Sequence, residues 1–217
     1  GGLTEVVRHF EGGKFIDPGR ELSSPFYVEL LQMLKNRKVP RESVHRGDEF
    51  RFGEVTLRIL NPPEKLFDKV DDCSIVAELR YRGNRFLFLG DAEQKAEIDL
   101  FVNKYLSRCQ VLKVGQHGSS SSNCKGLLRL VKPEVGIISC GKNNLYGHPT
   151  GEVLERLAAV GCQAYRTDRL GDIRVESDGK NYLVVTRNSL GGASSKGVGD
   201  MPGKAGRISS SGGRRAA

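Results

Sequence analysis

Four loops of this 217-residue chain gather side chains able to hold a metal ion or move a proton. The first is Asp71-Asp72-Cys73-Ser74, just before an apolar run. The second is Gly90-Asp91-Ala92-Glu93, directly after Phe86-Leu87-Phe88-Leu89. The third is Gly115-Gln116-His117-Gly118-Ser119, directly after Val111-Leu112-Lys113-Val114. The fourth runs from Gly141 through Tyr146-Gly147-His148-Pro149, after Val135-Gly136-Ile137-Ile138-Ser139. Strand ends along one rim of a sheet are where sites are commonly assembled. A carboxylate and an imidazole from neighbouring strand ends form a donor set that Zn²⁺ or Mn²⁺ accepts. Each residue also has a plainer reading. Asp91 stands just before an expected helix and can cap it. His117 lies in an ordinary Gly/Ser loop, Asp72 in a turn before a strand, and Ser119 and Ser120 in a Ser-rich loop.

The elements that must position these loops follow from periodicity. Pro25 to Asn36 carries Phe26, Leu30, Leu31 and Leu34 on one helical face, with Ser24 at the cap position and Pro25 in the first turn. Two hairpins are expected: 49–52 with 55–60 around Gly53-Glu54, and 74–79 with 85–89 around Arg82-Gly83-Asn84. The pattern then alternates. Helices are expected at about 93–106, 123–131 and 151–160, each followed by a short strand, at 110–114, 135–139 and 163–166. Two more strands, at about 172–176 and 182–186, close the body. Hairpins first and strand–helix alternation afterwards predict two sheets between outer helices.

Composition limits the function classes. Hydrophobic residues make up 38% of the chain, enough for one sizeable core, and β-branched runs recur along most of it. This excludes a collagen-like or wholly disordered chain. No stretch approaches the roughly 18 consecutive apolar residues of a membrane span. The formal net charge is +8. From Asn188 onward, Lys196, Lys204, Arg207, Arg214 and Arg215 face Asp200 alone, so half of that charge lies in the last thirty residues. A body of residues 1–187 is therefore mildly basic, which fits a polyanionic partner and a solvated surface equally. Residues 188–217 are Gly/Ser-rich and basic and are expected to be a disordered tail. Five cysteines, with no Cys-x-x-Cys pair, read as free and mostly buried thiols rather than a disulfide framework.

The order of these motifs carries a resemblance. Gly1-Gly2-Leu3, Asp71-Asp72-Cys73-Ser74, Phe88-Leu89-Gly90-Asp91-Ala92-Glu93, the Val111 to Ser119 segment and Tyr146-Gly147-His148-Pro149 resemble the metallo-β-lactamase-fold domain of the ComEC-type competence DNA-uptake family. Ser24-Pro25, Asn61-Pro62-Pro63 and Tyr165-Arg166-Thr167-Asp168 fit the same pattern. The match covers nearly all of residues 1–187. It implies a four-layer αββα sandwich with a divalent-metal site, Zn²⁺ or Mn²⁺ and two ions in a complete site, on one rim. It further implies Asp91 as a bridging ligand and His117 as a terminal ligand. His148 would be a phosphate-binding or proton-donating residue, Asp72 an orienting carboxylate, and Ser119 and Ser120 phosphate donors. DNA would be the substrate, with one of its strands degraded during uptake.

Two departures stand out. The family's His-x-(His/Asp)-x-Asp-His run normally precedes the Gly-Gly-Leu segment with which this sequence opens, so weak metal binding is expected of the chain as given. Gln116 stands where the family often has a first histidine before His117. The resemblance leaves a stand-alone hydrolase of a small ester or thioester, and a non-catalytic DNA- or partner-binding remnant, as alternatives. Joined to a membrane-channel region, the domain would sit outside the cytoplasm on the envelope; alone, it would be cytoplasmic. Nothing in the sequence points to a tight protein partner. His9 and His45 lie outside the motifs.

Overall fold

The computed structural model describes residues 2–186; the tail expected at 188–217 lies outside them. The elements are α1 (Leu3–His9), β1 (Phe15–Asp17), α2 (Pro25–Asn36), β2 (Arg41–Ser43), β3 (Glu49–Phe52), β4 (Val55–Asn61), β5 (Val76–Tyr81), β6 (Asn84–Phe88), α3 (Gln94–Val102), β7 (Val111–Lys113), α4 (Lys125–Val131), β8 (Val135–Ile138), α5 (Gly151–Ala159), β9 (Gln163–Arg166), α6 (Thr167–Leu170), β10 (Ile173–Ser177) and β11 (Tyr182–Thr186).

Strands β3 to β9 form one seven-stranded sheet in sequence order. The first four pair antiparallel, and β6 to β9 pair parallel. The change from hairpins to strand–helix alternation in the sequence is this change of polarity, because parallel neighbours need a crossover and antiparallel ones a tight turn. Gly53 at φ +60° turns the first hairpin, and Arg82 at φ +50° with Gly83 turns the second.

The polarity puts the polar loops together. β6, β7 and β8 run in register, Phe86 beside Val111 and Val111 beside Val135, so their C-terminal ends share one rim. β5 runs against β6 and pairs Ala77 with Phe88, which brings its entry segment, residues 71–75, to the same rim.

One face of the sheet carries α3, α4 and α5. Ala96 and Leu100, Leu127, Leu128 and Val131, and Val153 and Leu157 pack there against Leu87, Leu89, Leu112, Val114 and Ile138. Burying one such side chain contributes about 1.5–3 kcal/mol. The opposite face is covered in two places. The β10–β11 hairpin packs Ile173, Val175, Tyr182 and Val184 over Val111, Val135 and Tyr165. Ile16 of the parallel β1–β2 pair joins Val44, Ile59 and Ala77. The second β-layer is thus present as two small sheets. α2 lies outside it, burying Leu30 and Leu34, with Tyr27 Oη accepting a hydrogen bond from Arg41 of β2.

The expected helix over 93–106 ends early, at Val102. Lys104 adopts a left-handed conformation at φ +59°, and Tyr105 N–H returns to the Leu100 carbonyl, closing the helix C-terminus. The helix expected from 123 begins at Lys125, because Asn123 is itself left-handed at φ +61°. α1, β1, β2 and α6 had no sequence signal strong enough to announce them. The five thiols are free. Cys73, Cys109 and Cys162 are buried, and burial pushes the Cys109 and Cys162 pKa values up to about 12.

Candidate metal centre

His117 and Asp91 meet at the rim. His117 Nε2 lies 3.6 Å from Asp91 Oδ1, and each side chain is about half exposed, at 54% and 52%. His117 Nδ1 is 2.7 Å from the Ser139 carbonyl oxygen. A carbonyl can only accept, so Nδ1 carries the proton and Nε2, which faces Asp91, is the nitrogen placed to ligate an ion. Two donors held about 2.1 Å from one ion at a tetrahedral angle stand about 3.4 Å apart. The Asp91–His117 pair therefore fits two positions of a zinc- or manganese-type site. Among the described residues no group of three or more His, Cys, Asp or Glu side chains is disposed around one ion.

The backbone around this pair is held under strain. Gln116 (φ 43°, ψ 47°) and His117 (φ 55°, ψ 18°) are consecutive left-handed residues with side chains. Each such residue costs on the order of 1–3 kcal/mol and persists only where its surroundings over-determine it. Here Gln116 N–H donates to the Gly90 carbonyl, and Gly115 is clasped at both ends by the Asn123 amide, at 2.9 and 3.0 Å. Gly90, at φ +56°, passes so close to β5 that a Cβ would lie 3.1 Å from the Ile75 carbonyl oxygen.

Asp91 does not cap the helix that follows it, contrary to its plainer reading. Asp72 does: its Oδ1 accepts from Ala96 N–H at 3.0 Å, in the first turn of α3. Asp72 is buried, and its carbonyl oxygen accepts from Asn61 Nδ2. Among the described residues, Asp72 thus has a helix-anchoring contact and none with an imidazole. The Asp91 backbone N–H is taken by Ser74 Oγ at 3.2 Å, leaving its carboxylate facing His117.

His148 comes from the fourth loop, whose neighbour Thr150 donates its N–H to the Gly118 carbonyl. A Cβ on Gly118 would lie 2.5 Å from Pro149 Cβ, so the His117 and His148 loops touch at that glycine. Among the described residues, His148 Nδ1 is buried without a hydrogen-bond partner. The ring stacks on Tyr146 at 5.9 Å between centroids and 16° between planes. Gly118 has φ +85°, so Gly118→Ala combines a disfavoured backbone with a clash. It is expected to cost about 2–4 kcal/mol in chemical denaturation; a loss below 0.5 kcal/mol would show that the two loops do not depend on that contact.

The two serines sit beside the pair without a fixed ligand-facing role. Ser119 Oγ is paired with Ser121 Oγ at 2.9 Å, and Ser120 lends its carbonyl to Arg156. A polar cluster that sequence reasoning left unassigned lies next to them. Gln116 Nε2 donates to Glu93 Oε1 at 2.6 Å, Ser121 Oγ donates to Gln116 Oε1 at 2.6 Å, and Lys69 is ion-paired with Glu93. Burial acts to raise the Glu93 pKa, but hydrogen bonds from Lys69, Gln116 and Ser121 outweigh it and hold the carboxyl below its usual range. Asp71 is pushed up, first by burial and then by the charges of Glu93 and Asp91. Burial lowers the Lys113 ammonium pKa, with Asp91 and Cys140 pulling the other way. The Ser139 contact is made by a backbone carbonyl and left no mark in the sequence.

The layered sheet, with its carboxylate–imidazole pair on the rim where β6 and β7 end, defines a metallo-β-lactamase-fold domain. No family model matches the chain. It is 30% identical over 172 residues to ComE operon protein 3 of Bacillus subtilis (strain 168), covering 78% of this chain and 22% of that protein. It is 29% identical to Recombination protein 2 of Haemophilus influenzae, over 81% of this chain and 20% of that one. It is 36% identical to competence protein ComA of Neisseria gonorrhoeae, over 55% and 18%. Among solved structures, CmlA, a diiron β-hydroxylase from Streptomyces venezuelae, shares the fold with a TM-score of 0.52, at 11% identity, over 74% of this chain and 39% of that one. The chain is a ComEC-type metallo-β-lactamase-fold domain related to competence proteins, and it spans about a fifth of the length of these curated relatives.

Proposed function

We propose that this domain is the hydrolytic part of a competence DNA-uptake protein and cleaves phosphodiester bonds in DNA with a divalent metal, Zn²⁺ or Mn²⁺. The observation that supports this most is the Asp91–His117 pair, 3.6 Å apart, with the imidazole tautomer set by the Ser139 carbonyl. A bound divalent ion would lower the pKa of a coordinated water to near 7 and offset charge on the phosphoryl group. Asp91 and His117 would hold that ion. His148, beside the pair through the Gly118–Pro149 contact, would bind the scissile phosphate or give a proton to the leaving oxygen. Asp72 acts at a distance, by fixing the first turn of α3. Ser119 and Ser120, in the loop that follows His117, would donate to phosphate oxygens.

In this reading DNA is the substrate. The domain works beside a membrane-channel region of the same protein, on the outer side of the membrane. Among the described residues no helix is long and apolar enough to cross a membrane. The test is cleavage of a labelled DNA strand with millimolar Mn²⁺ or Zn²⁺, with and without chelator. The 217-residue chain is compared with the same chain joined behind a His-x-(His/Asp)-x-Asp-His run. Chelator-sensitive cleavage by the joined form, weak or absent in the chain alone, is expected. DNA binding without cleavage by either form would favour the non-catalytic remnant, and turnover of a small ester alone would favour the ester hydrolase.

A further inference from the structure

The fourth rim loop presents an aromatic ring that the folded domain does not use. Tyr146 is 80% exposed and Leu145 fully exposed. One face of Tyr146 lies against the His148 ring. The high exposure leaves the other face open. The loop is set before any ligand arrives. The Asn144 side chain accepts from His148 N–H at 2.9 Å and donates to the carbonyls of His148, at 2.7 Å, and Gly141, at 3.0 Å. Asn143 at φ +58° and Gly147 at φ +66° supply the sharp bends. A rigid aromatic with two torsions loses little conformational entropy when something flat packs on it.

We propose that the open face of Tyr146 is a stacking platform for one unpaired base of single-stranded DNA, placing that nucleotide's phosphate next to His148. This rests on the nuclease reading above and adds the strand state of the substrate. The occupant follows from the neighbours. Lys142, exposed in the same loop, supplies a cation for the strand's backbone, in a chain of net charge +8. A base inside a duplex has both faces covered by its neighbours, so along a strand it is the unpaired bases that offer a face to Tyr146. The stack on His148 links the platform to the site: a base on Tyr146 lies one ring away from the imidazole.

The experiment separates stacking from charge and from cleavage. A fluorescein-labelled twelve-residue oligo(dT) and its abasic counterpart, equal in phosphate charge, are titrated by anisotropy against wild type, Tyr146→Ala and Tyr146→Phe in EDTA. Wild type should bind the base-bearing strand about 5- to 150-fold more tightly than the abasic one. Tyr146→Ala should lose most of that preference without weakening the abasic complex, and Tyr146→Phe should keep it. Equal binding of oligo(dT) by wild type and Tyr146→Ala overturns the proposal and leaves the ring for another partner. A loss in Tyr146→Ala that is the same for both strands also overturns it, since that would be a loop effect. Because EDTA prevents turnover, the base preference can persist if no metal gives cleavage. In that case the platform stands and the nuclease reading falls.

Discussion

Asp91→Asn is expected to abolish metal-dependent cleavage, by at least about 100-fold, while leaving the metal-free melting temperature within about 1 °C of wild type. The Asp91 carboxylate is half exposed, and its close partner is the His117 imidazole at 3.6 Å. The backbone contact to Ser74 Oγ survives the substitution. An amide is nearly the same size but a much poorer ligand for a divalent cation, so the change acts on metal affinity with little effect on packing. The decisive readout does not depend on turnover. Mn²⁺ that binds only the folded protein raises the melting temperature by mass action, and that rise should disappear in Asp91→Asn. The form joined to the upstream metal run is the one to measure, because Asp91 and His117 alone make a loose site. A metal-induced rise equal to wild type would remove Asp91 from the site.

The same substitution would have been ambiguous had Asp91 capped α3, since Asn caps nearly as well as Asp. The structure removes that ambiguity by giving the cap contact to Asp72. The complementary change, Asp72→Ala, should lower stability by about 1–2 kcal/mol and affect cleavage only through the placement of α3. The pair of variants separates a ligand from a brace: one changes metal response at constant stability, and the other changes stability first.

Much of the scaffold was legible because its signals are local. Short turns at Gly53-Glu54 and Arg82-Gly83-Asn84 announced the hairpins, and apolar runs alternating with helical periodicity announced β7 to β9. Parallel strands end on a common rim, so the loops carrying Asp91, His117 and His148 were bound to meet once the polarity was known. What stayed hidden depends on contacts distant in sequence. Asp72 caps a helix 24 residues away, and no local pattern distinguishes it from Asp91 as the capping group. The left-handed Asn123, which shortens α4, is held by Gly115 across the loop. Among the described residues, the three-residue strands β1 and β2 pair only with each other, and segments so short carry no readable period. Glu97 did leave a mark, as an acid between Ala96 and Leu100 on the buried side of α3, and its meaning appears only in the packing.

Glu97→Ala is expected to give the largest loss of stability, about 3–5 kcal/mol, with a fall in melting temperature on the order of 10 °C. Glu97 is fully buried. Its Oε1 accepts from Ser122 Oγ and from Asn123 N–H, and its Oε2 from Cys124 N–H at 2.7 Å. These donors lie at the entry to α4, so truncation strands two backbone amides away from water, each at a cost of about 1–3 kcal/mol, while the Ser122 hydroxyl keeps the Ala92 carbonyl as its acceptor. Relief of the buried carboxylate offsets part of this, since burial pushes the Glu97 pKa above 4.5 against the pull of its hydrogen bonds. That shift fixes the sign of a pH effect. The folded state holds the proton more tightly than the unfolded chain, so this contribution is complete below 4.5 and is lost as pH rises through the folded pKa. Glu97→Gln cannot titrate, so between pH 4.5 and 7 wild type should lose stability relative to this variant, although the amide is less stable overall because its NH₂ faces a donor. A parallel pH dependence of the two proteins in urea melts would mean that Glu97 ionises normally. The damage should reach the candidate site as well. Asn123 clasps Gly115, and Gly115 opens the strained turn that aims His117 at Asp91, so Glu97→Ala should loosen the imidazole–carboxylate pair from behind. The metal-induced rise in melting temperature should shrink with it, whereas Asp72→Ala, which removes a carboxylate contact to the first turn of α3, should leave that rise closer to wild type.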